Sequence, residues 1–225
     1  MPVAHSPRND AICLSLVCAA TLVVCIAGAV RAGPLEDVVA AADGGDYATA
    51  TWLLRPLAEH GDPVAQFDLG FLYDSGRGVP RDYGEAMKWY RLAAEKGHAV
   101  AQYQLGTMYA DGRGVPRDHA EAGKWYRRAA QQGYAWAQFF LGVAFANGQG
   151  VPKILTLAHM WFSLAASSRY ETPLGSLRTM NDNERRALAN LATGARSKLE
   201  AQMNPDQIAE AQKLPTEWKP EPWPR

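Results

Sequence analysis

The chain has 225 residues, which is room for one or two domains. Its 23 basic and 23 acidic side chains cancel, so the net charge favours neither nucleic acid nor an acidic substrate as a partner. A hydrophobic content of 48% allows a proper core.

The first predicted element is a continuous apolar run from Ala11 to Val30. Small residues near Ala29 and Ala32 suit signal-peptidase cleavage, so residues 1–32 are predicted to be a signal peptide. Twenty apolar residues can also span a bilayer, which leaves an uncleaved inner-membrane anchor as the alternative. The protein is therefore expected to be periplasmic or secreted, and to touch the membrane only through residues 11–30 if they stay uncleaved.

All three cysteines lie within this run, at Cys13, Cys18 and Cys25. The chain after cleavage would hold no cysteine and would depend on packing alone. An exported protein without disulfides is still compatible with an oxidising compartment.

The helical pattern begins at Leu35. Residues 35–61 are predicted to be a degenerate helix pair, because Asp46 to Gly61 repeats the pattern of Asp82 to Gly97 at a distance of 36 residues. Leu35 to Ala42 would be the first helix of this pair. Such atypical units are expected at the end of a repeat array, where a unit has a neighbour on one side only.

A 36-residue period organises the centre of the chain. The markers are a glycine, a proline and a tryptophan, at Gly76, Gly112 and Gly148, at Pro80, Pro116 and Pro152, and at Trp89, Trp125 and Trp161. A fixed period of this size is typical of helical repeat arrays. We expect repeats at about residues 65–98, 101–134 and 137–168, within a solenoid covering residues 33–169.

Each unit is predicted to be a helix, a tight loop and a second helix. Gly70 falls inside the first helix, and its recurrence as Gly106 and Gly142 indicates a close approach of two helices. Gly76 suits a positive φ at the helix end. Asp82 is predicted to cap the second helix, with Glu85 completing an approximate capping box. The tryptophans lie at helical spacing beside alanines, which favours a role in the core over a ligand site.

Three motifs recur in these units: Ala-Gln-x-x-Leu-Gly, Tyr-x-x-Gly-x-Gly-Val-Pro-x-Asp and Ala-x-Lys-Trp-Tyr-x-x-Ala-Ala. They resemble the Sel1-like repeat, a relative of the tetratricopeptide repeat, from Ala65 to about Ala166. The resemblance implies an all-α fold, an α-solenoid of antiparallel helix pairs stacked into a right-handed superhelix. It also implies a role in binding or scaffolding other proteins, often in bacterial envelopes.

The last repeat turns apolar at three positions that are polar in the earlier units, namely Phe140, Ile154 and Leu157. We expect these side chains to be covered by capping helices within residues 170–214. One helix is predicted from Asn183 to Gln202 and another from Asn204, with Pro205 in its first turn. Residues 215–225 are rich in proline and tryptophan and are predicted to be an extended tail.

The residues that contact a partner should be those that differ from one repeat to the next, because the scaffold residues recur in every repeat. On the first helices these are Asp68, Gln104 and Phe140 at one position and Phe71, Thr107 and Val143 at another. An aromatic at a third position, in Phe67, Tyr103 and Phe139, either packs between repeats or lines a groove for a peptide. The predicted partner is another protein or a peptide, with no nucleic acid.

No catalytic, cofactor-binding or metal-binding residues are predicted. The five histidines do not pair at ligand spacing, and no nucleophile stands beside a base. The favoured hypothesis is a non-enzymatic interaction or scaffold module of the cell envelope. The alternative is an envelope enzyme or a polysaccharide-binding protein, since basic residues recur along the repeats, although a solvated face explains them more simply.

Overall fold

The computed structural model describes residues 33–168, 177 and 181–218, and all the regular structure found there is α-helical. The ten helices in chain order are α1 (Pro34–Asp43), α2 (Tyr47–Glu59), α3 (Pro63–Ser75), α4 (Tyr83–Glu95), α5 (Ala99–Asp111), α6 (His119–Gln131), α7 (Ala135–Asn147), α8 (Leu155–Ser167), α9 (Asp182–Glu200) and α10 (Pro205–Glu217). The predicted all-α class is confirmed.

The helices from α1 to α8 form a solenoid of four pairs. Each helix packs mainly on its neighbours in sequence, both within a pair and from one pair to the next. Every helix from α2 to α8 has 13 residues, so equivalent helices keep one length along the repeats. Packing of this kind, in which each unit touches only the adjacent ones, defines an α-solenoid.

The helix-interior glycines make room for a ring of the second helix in each repeat. A Cβ on Gly70 would lie 2.7 Å from Cδ1 of Tyr90, and one on Gly106 would lie 2.5 Å from Cδ1 of Tyr126. Real Cβ atoms do not approach that closely, so glycine is required there. The predicted close approach of the two helices is confirmed.

The loop between the helices needs two glycines with left-handed backbone. Gly76 has φ 72° and ends α3, as predicted. Gly78 has the same φ, and a Cβ there would lie 2.3 Å from the carbonyl oxygen of Tyr47 in the preceding pair. This second glycine therefore lets the loop pack on the neighbouring unit, which its turn chemistry alone did not indicate.

A recurring glutamine joins each first helix to the end of the preceding second helix. Gln66 Nε2 donates to the carbonyl of Ala58, Gln102 to Ala94 and Gln138 to Ala130, at 3.0, 3.0 and 3.2 Å. All three glutamines are buried. The same carbonyls also accept the backbone N–H groups of Gly61, Gly97 and Gly133, so each glutamine adds a second bond to a helix end and satisfies its own buried amide N–H.

The predicted N-caps of α4 and α6 are confirmed. Asp82 accepts bonds from the backbone N–H groups of Gly84 and Glu85, and Asp118 does the same for Ala120 and Glu121. Ile154 holds the equivalent place before α8 and gives no side-chain cap.

The two C-terminal helices pack on α8 and close that end of the solenoid. Leu188, Leu199 and Ala211 are buried in this contact region, and the Trp161 and Trp218 rings meet edge to face at 5.6 Å. His159 Nε2 lies 2.8 Å from Oε1 of Glu200. The capping helices thus cover α8 itself.

Two expectations about this end are wrong in detail. Ile154 is 37% exposed, so the C-terminal helices do not cover it, and Phe140 packs among aromatic side chains of α5, α6 and α7 instead. The helix α10 runs through Pro215 to Glu217, beyond the predicted start of the extended tail. Proline in the last turn is accommodated, and Trp218 is held by its contact with Trp161. The predicted signal segment, the region from Tyr170 to Asn181 except residues 177 and 181, and the end of the tail lie outside the described residues.

The repeated tryptophans are not equivalent. Trp89 and Trp161 are buried, each 6% exposed, in line with the predicted core role. Trp125 is only half-buried, and the Arg128 guanidinium lies 4.5 Å from its ring centroid. Trp125 is therefore an edge of the core rather than its centre.

Candidate functional site

Four of the six predicted partner-binding residues line one cavity. Gln104 and Thr107 come from α5, and Phe140 and Val143 come from α7. The cavity measures about 400 Å³ and lies between these two helices, with α6 behind them. The residues around it are Tyr103, Gln104, Thr107, Ala110, Asp111, Arg113, His119, Ala122, Gly123, Tyr126, Phe140, Val143, Ala144 and Gln149.

An aromatic cluster provides the apolar part of the cavity wall. The Phe140 ring lies 5.9 Å from that of Tyr103 and 5.6 Å from that of Tyr126, and Trp136 lies 6.3 Å from Phe140 on the far side. Tyr103 and Phe140 remain half-exposed. Aromatic side chains of this kind offer a ligand a large, rigid contact area.

A network of polar side chains forms one rim of the cavity and joins it to the preceding repeat. Thr107 Oγ1 donates to the carbonyl of Gln104 at 2.8 Å and accepts from Arg113 Nη2 at 3.2 Å. Arg113 Nη1 pairs with Asp74 Oδ1 at 3.2 Å, and Tyr90 donates to the other oxygen of Asp74. The charge of Arg113 is thus matched inside the protein, which holds its side chain in place.

The two tyrosines behind the rim keep their protons. Burial raises the pKa of Tyr126, and the nearby Tyr103 and Asp111 raise it further against the opposing effect of Arg113. Burial also raises the pKa of Tyr90 well above its usual value, and Asp74 adds to that rise. Both phenols therefore remain neutral. Tyr126 provides packing surface, and Tyr90 also donates to Asp74.

The other two predicted residues lie in the first full repeat. Phe71 is half-buried, and the Arg77 guanidinium lies 5.8 Å from its ring centroid and 5.2 Å from that of Tyr47. Asp68 is fully buried, and its Oδ1 accepts the backbone N–H of Leu177 at 2.9 Å. Asp68 is thus not an open partner-contacting residue, because a distant part of the chain already covers it.

The recurring aromatic residue of the first helices, at Phe67, Tyr103 and Phe139, was expected either to pack between repeats or to line a groove. Both roles occur. Phe67 is buried and stacks on His98 at 4.8 Å, and Phe139 is buried against Phe162. Tyr103 alone of these three lines the cavity. Sequence reasoning missed Tyr126, Arg113 and His119 as cavity residues. For Tyr126 a signal existed, since Gly106 leaves space for a ring that would otherwise be ordinary core.

The recurring basic residues are mostly engaged with neighbours. Arg55 donates to the Tyr73 hydroxyl at 2.9 Å, and Arg91 donates to Tyr109 one repeat later at 2.8 Å. Lys88 pairs with Glu85 on the same exposed helix face, and Lys124 pairs with Glu121. This arrangement favours a charge-balanced solvated surface over a stripe for an anionic polymer.

The described part of the chain holds neither a candidate metal cluster nor a membrane-spanning helix. Residues 33–168, 177 and 181–218 contain no group of three or more His, Cys, Asp or Glu side chains that could hold a metal ion. Among the helices in those ranges, none is long and apolar enough to cross a membrane.

Three segments of the chain match one family model. The family model described as the Sel1 repeat matches residues 63–98, 99–134 and 137–170. No curated protein matches the chain.

Two solved structures are similar to the chain. One is a Sel1 repeat protein from Oxalobacter formigenes, with 35% identity over 60% of this chain and a TM-score of 0.57. The other is a protective antigen of uropathogenic Escherichia coli strains that displays an SLR fold, with 27% identity over 75% of this chain and a TM-score of 0.51. The matched part covers 54% and 40% of the length of those two proteins.

Proposed function

Because three Sel1 repeats are matched between residues 63 and 170, we propose that this chain is a non-enzymatic protein-interaction module. It binds a peptide or a helix of another protein in the cavity between α5 and α7. The observation that carries this proposal is the cavity itself, which brings together Gln104, Thr107, Phe140 and Val143.

The contrast between constant scaffold positions and variable cavity positions within the repeat supports a binding role. Scaffold positions recur from unit to unit, and the glutamine bridges and helix-interior glycines keep the same contacts in each. The cavity positions differ between units, as in Gln104 against Phe140 and Thr107 against Val143. A solenoid of this kind presents a few individual side chains per repeat on a common frame, which suits recognition of an extended or helical segment.

We also propose that the protein acts in the cell envelope, in the periplasm or outside the cell. The apolar run from Ala11 to Val30 and the small residues near Ala29 and Ala32 support export with removal of the leader. Mass spectrometry of the protein isolated from its native host should find a mature N-terminus between Val30 and Gly33. An intact Met1 in a membrane fraction would instead support the anchored form.

Partner capture by matched variants tests the binding proposal. Thr107→Lys fills the cavity and adds a positive charge beside Arg113, so we expect capture from an envelope fraction to fall about tenfold. Thr193→Lys is the control, because Thr193 is an exposed helical threonine of α9 with a similar hydroxyl-to-carbonyl bond. Gln104→Glu should weaken capture as well.

The melting temperatures of these variants should move little, since surface substitutions usually change stability by about 0.5 kcal/mol or less. Equal capture by the Thr107→Lys and Thr193→Lys variants would place the binding site elsewhere. Retention of a polysaccharide rather than a protein would favour the alternative function.

A further inference from the structure

Leu177 lies against the first full repeat, although it directly precedes the C-terminal helices in sequence. Its backbone N–H donates to Oδ1 of Asp68, 109 positions earlier, at 2.9 Å. Its side chain is half-buried against the apolar cluster that includes Val38, Leu69 and Leu72. The contact therefore has a polar part and an apolar part.

Asp68 occupies the repeat position that lines the cavity in the later units. Gln104 and Phe140 follow it at intervals of 36 residues, and both face the cavity between α5 and α7. Leu177 thus covers, in the first repeat, the helix position that stays accessible in the two repeats that follow. Asp68 itself is fully buried.

The chemistry of this contact is that of peptide recognition. A backbone N–H is present at every residue of a peptide except proline, and the buried Oδ1 of Asp68 accepts it. The apolar cluster beside Asp68 receives an aliphatic side chain. These two features together select an extended segment with an exposed amide and a leucine-like residue.

We propose that Leu177 is an internal occupant of a peptide subsite formed by Asp68 and the apolar cluster of α1 to α4. A partner with an extended segment and an aliphatic side chain displaces Leu177 and then takes over the bond to Asp68. The inference rests on the proposed function, because it extends the partner surface from the α5–α7 cavity to the first repeat. It also makes Leu177 an autoinhibitory contact.

A peptide added in trans tests this assignment. The probe is a fluorescein-labelled peptide with the sequence of residues 171–181, titrated by fluorescence anisotropy into the full chain and into the Leu177→Asp variant. The variant places a second carboxylate beside Asp68, so residue 177 should leave the subsite. We expect the peptide to bind this variant about tenfold more tightly than the unchanged chain. Leu191→Asp is the matched control, because Leu191 is an exposed leucine on α9, and it should leave the affinity unchanged.

A second peptide isolates the hydrogen bond. N-methylation of its leucine at the position of Leu177 removes the amide donor and leaves the side chain in place, so binding to the Leu177→Asp variant should be lost. Circular dichroism checks that the variant is folded, and Leu177→Ala replaces it if it is not.

Equal affinity of the peptide for the unchanged chain and a folded Leu177 variant would overturn the proposal, as would equal binding of the N-methylated peptide. If these experiments fail while Thr107→Lys still weakens partner capture about tenfold, the proposed function stands and the internal-occupant proposal falls.

Discussion

At the scale of single residues, the helix-interior glycines set the distance between the two helices of a repeat. Gly142 shows the same relation as Gly70 and Gly106, since a Cβ there would lie 2.8 Å from Cδ1 and Cε1 of Phe162. The sequence indicated this close approach because glycine is otherwise unfavourable inside a helix. It did not indicate which ring uses the space.

Alanine substitution measures how much the close approach of the two helices contributes to the free energy of unfolding. Gly106→Ala should lower the free energy of unfolding by about 1–3 kcal/mol, because the added methyl overlaps the Tyr126 ring. Gly194→Ala is the control, since nothing lies within 4 Å of a Cβ at that position of α9. There alanine should raise the free energy of unfolding by about 1 kcal/mol. Urea denaturation measures both values, and equal effects at the two sites would refute the steric account.

His98 makes the fold sensitive to acid. Its Nδ1 accepts the backbone N–H of Ala101 at 3.2 Å, and its ring stacks on Phe67. Burial lowers the pKa of His98 from 6.5 to about 4, against a smaller opposing effect of Asp62. The folded state therefore holds the neutral ring where the unfolded chain would bind a proton.

A folded-state pKa below the unfolded value means that stability is fully present above about pH 6.5 and is lost as the pH falls toward 4. From pH 7 to pH 5 the free energy of unfolding should fall by about 2 kcal/mol from this residue. His98→Asn keeps a good N-cap and removes the titration, so its stability should change less over this range. Urea denaturation at both pH values checks this, and identical pH dependence in the two proteins would contradict it.

At the scale of elements, the N-cap residues of the second helices share one backbone conformation but differ in residue type. Asp82, Asp118 and Ile154 have φ of −144°, −144° and −137° and ψ of 105°, 99° and 102°. Only the two aspartates supply a side-chain acceptor to the first turn. The α8 helix therefore starts in a backbone conformation that suits a cap but lacks the cap itself.

Ile154→Asp should supply that cap. The Ile154 residue is 37% exposed, so Asp and Ala at this position both lose part of its apolar burial, and we expect Ile154→Asp to exceed Ile154→Ala by about 1 kcal/mol in the free energy of unfolding. Asp82→Ala should cost a similar amount. Ile154→Ala is the control without an acceptor, and urea denaturation compares the three variants. If Ile154→Asp is no more stable than Ile154→Ala, the missing-cap interpretation is wrong.

Features that depend on nearby residues could be predicted from the sequence. Features that depend on contacts between residues far apart in the sequence could not. The period and the caps located α3 to α8, because glycine, proline and aspartate act within a few residues of where they stand. Within the candidate site, Gln104 and Thr107 were found from their variation between repeats. Asp68 was not recognised as covered, because the residue that covers it lies 109 positions away. Arg113 is one of the recurring basic residues for which the sequence favoured a solvated face, and its pairing with Asp74 was missed because it depends on how two repeats stack.

At the scale of the whole molecule, a solenoid leaves apolar surface at its ends. The side chains of α8 that meet α9 and α10 include Trp161 and His159, both nearly fully buried. Capping units are needed for solubility in repeat proteins of this kind. The C-terminal helices serve that purpose here.

Truncation tests this capping role. A chain ending at Asn181 loses α9 and α10, exposes the apolar face of α8 and should aggregate. A chain ending at Trp218 keeps both helices and the contact with Trp161, so it should remain as soluble as the parent. Size-exclusion chromatography compares the two. A monomeric truncation at Asn181 with unchanged thermal stability would show that the α8 face needs no cover.

Site-specific photo-crosslinking tests most directly whether the α5–α7 cavity binds a protein. A photoreactive phenylalanine analogue replaces Gln104 in the cavity in one protein and the exposed Lys124 of α6 in another. After irradiation with an envelope fraction, we expect a protein adduct from position 104 and none from position 124. Mass spectrometry should locate the link in one defined segment of the partner. Absence of an adduct at position 104, or equal adducts from both positions, would contradict recognition by the cavity.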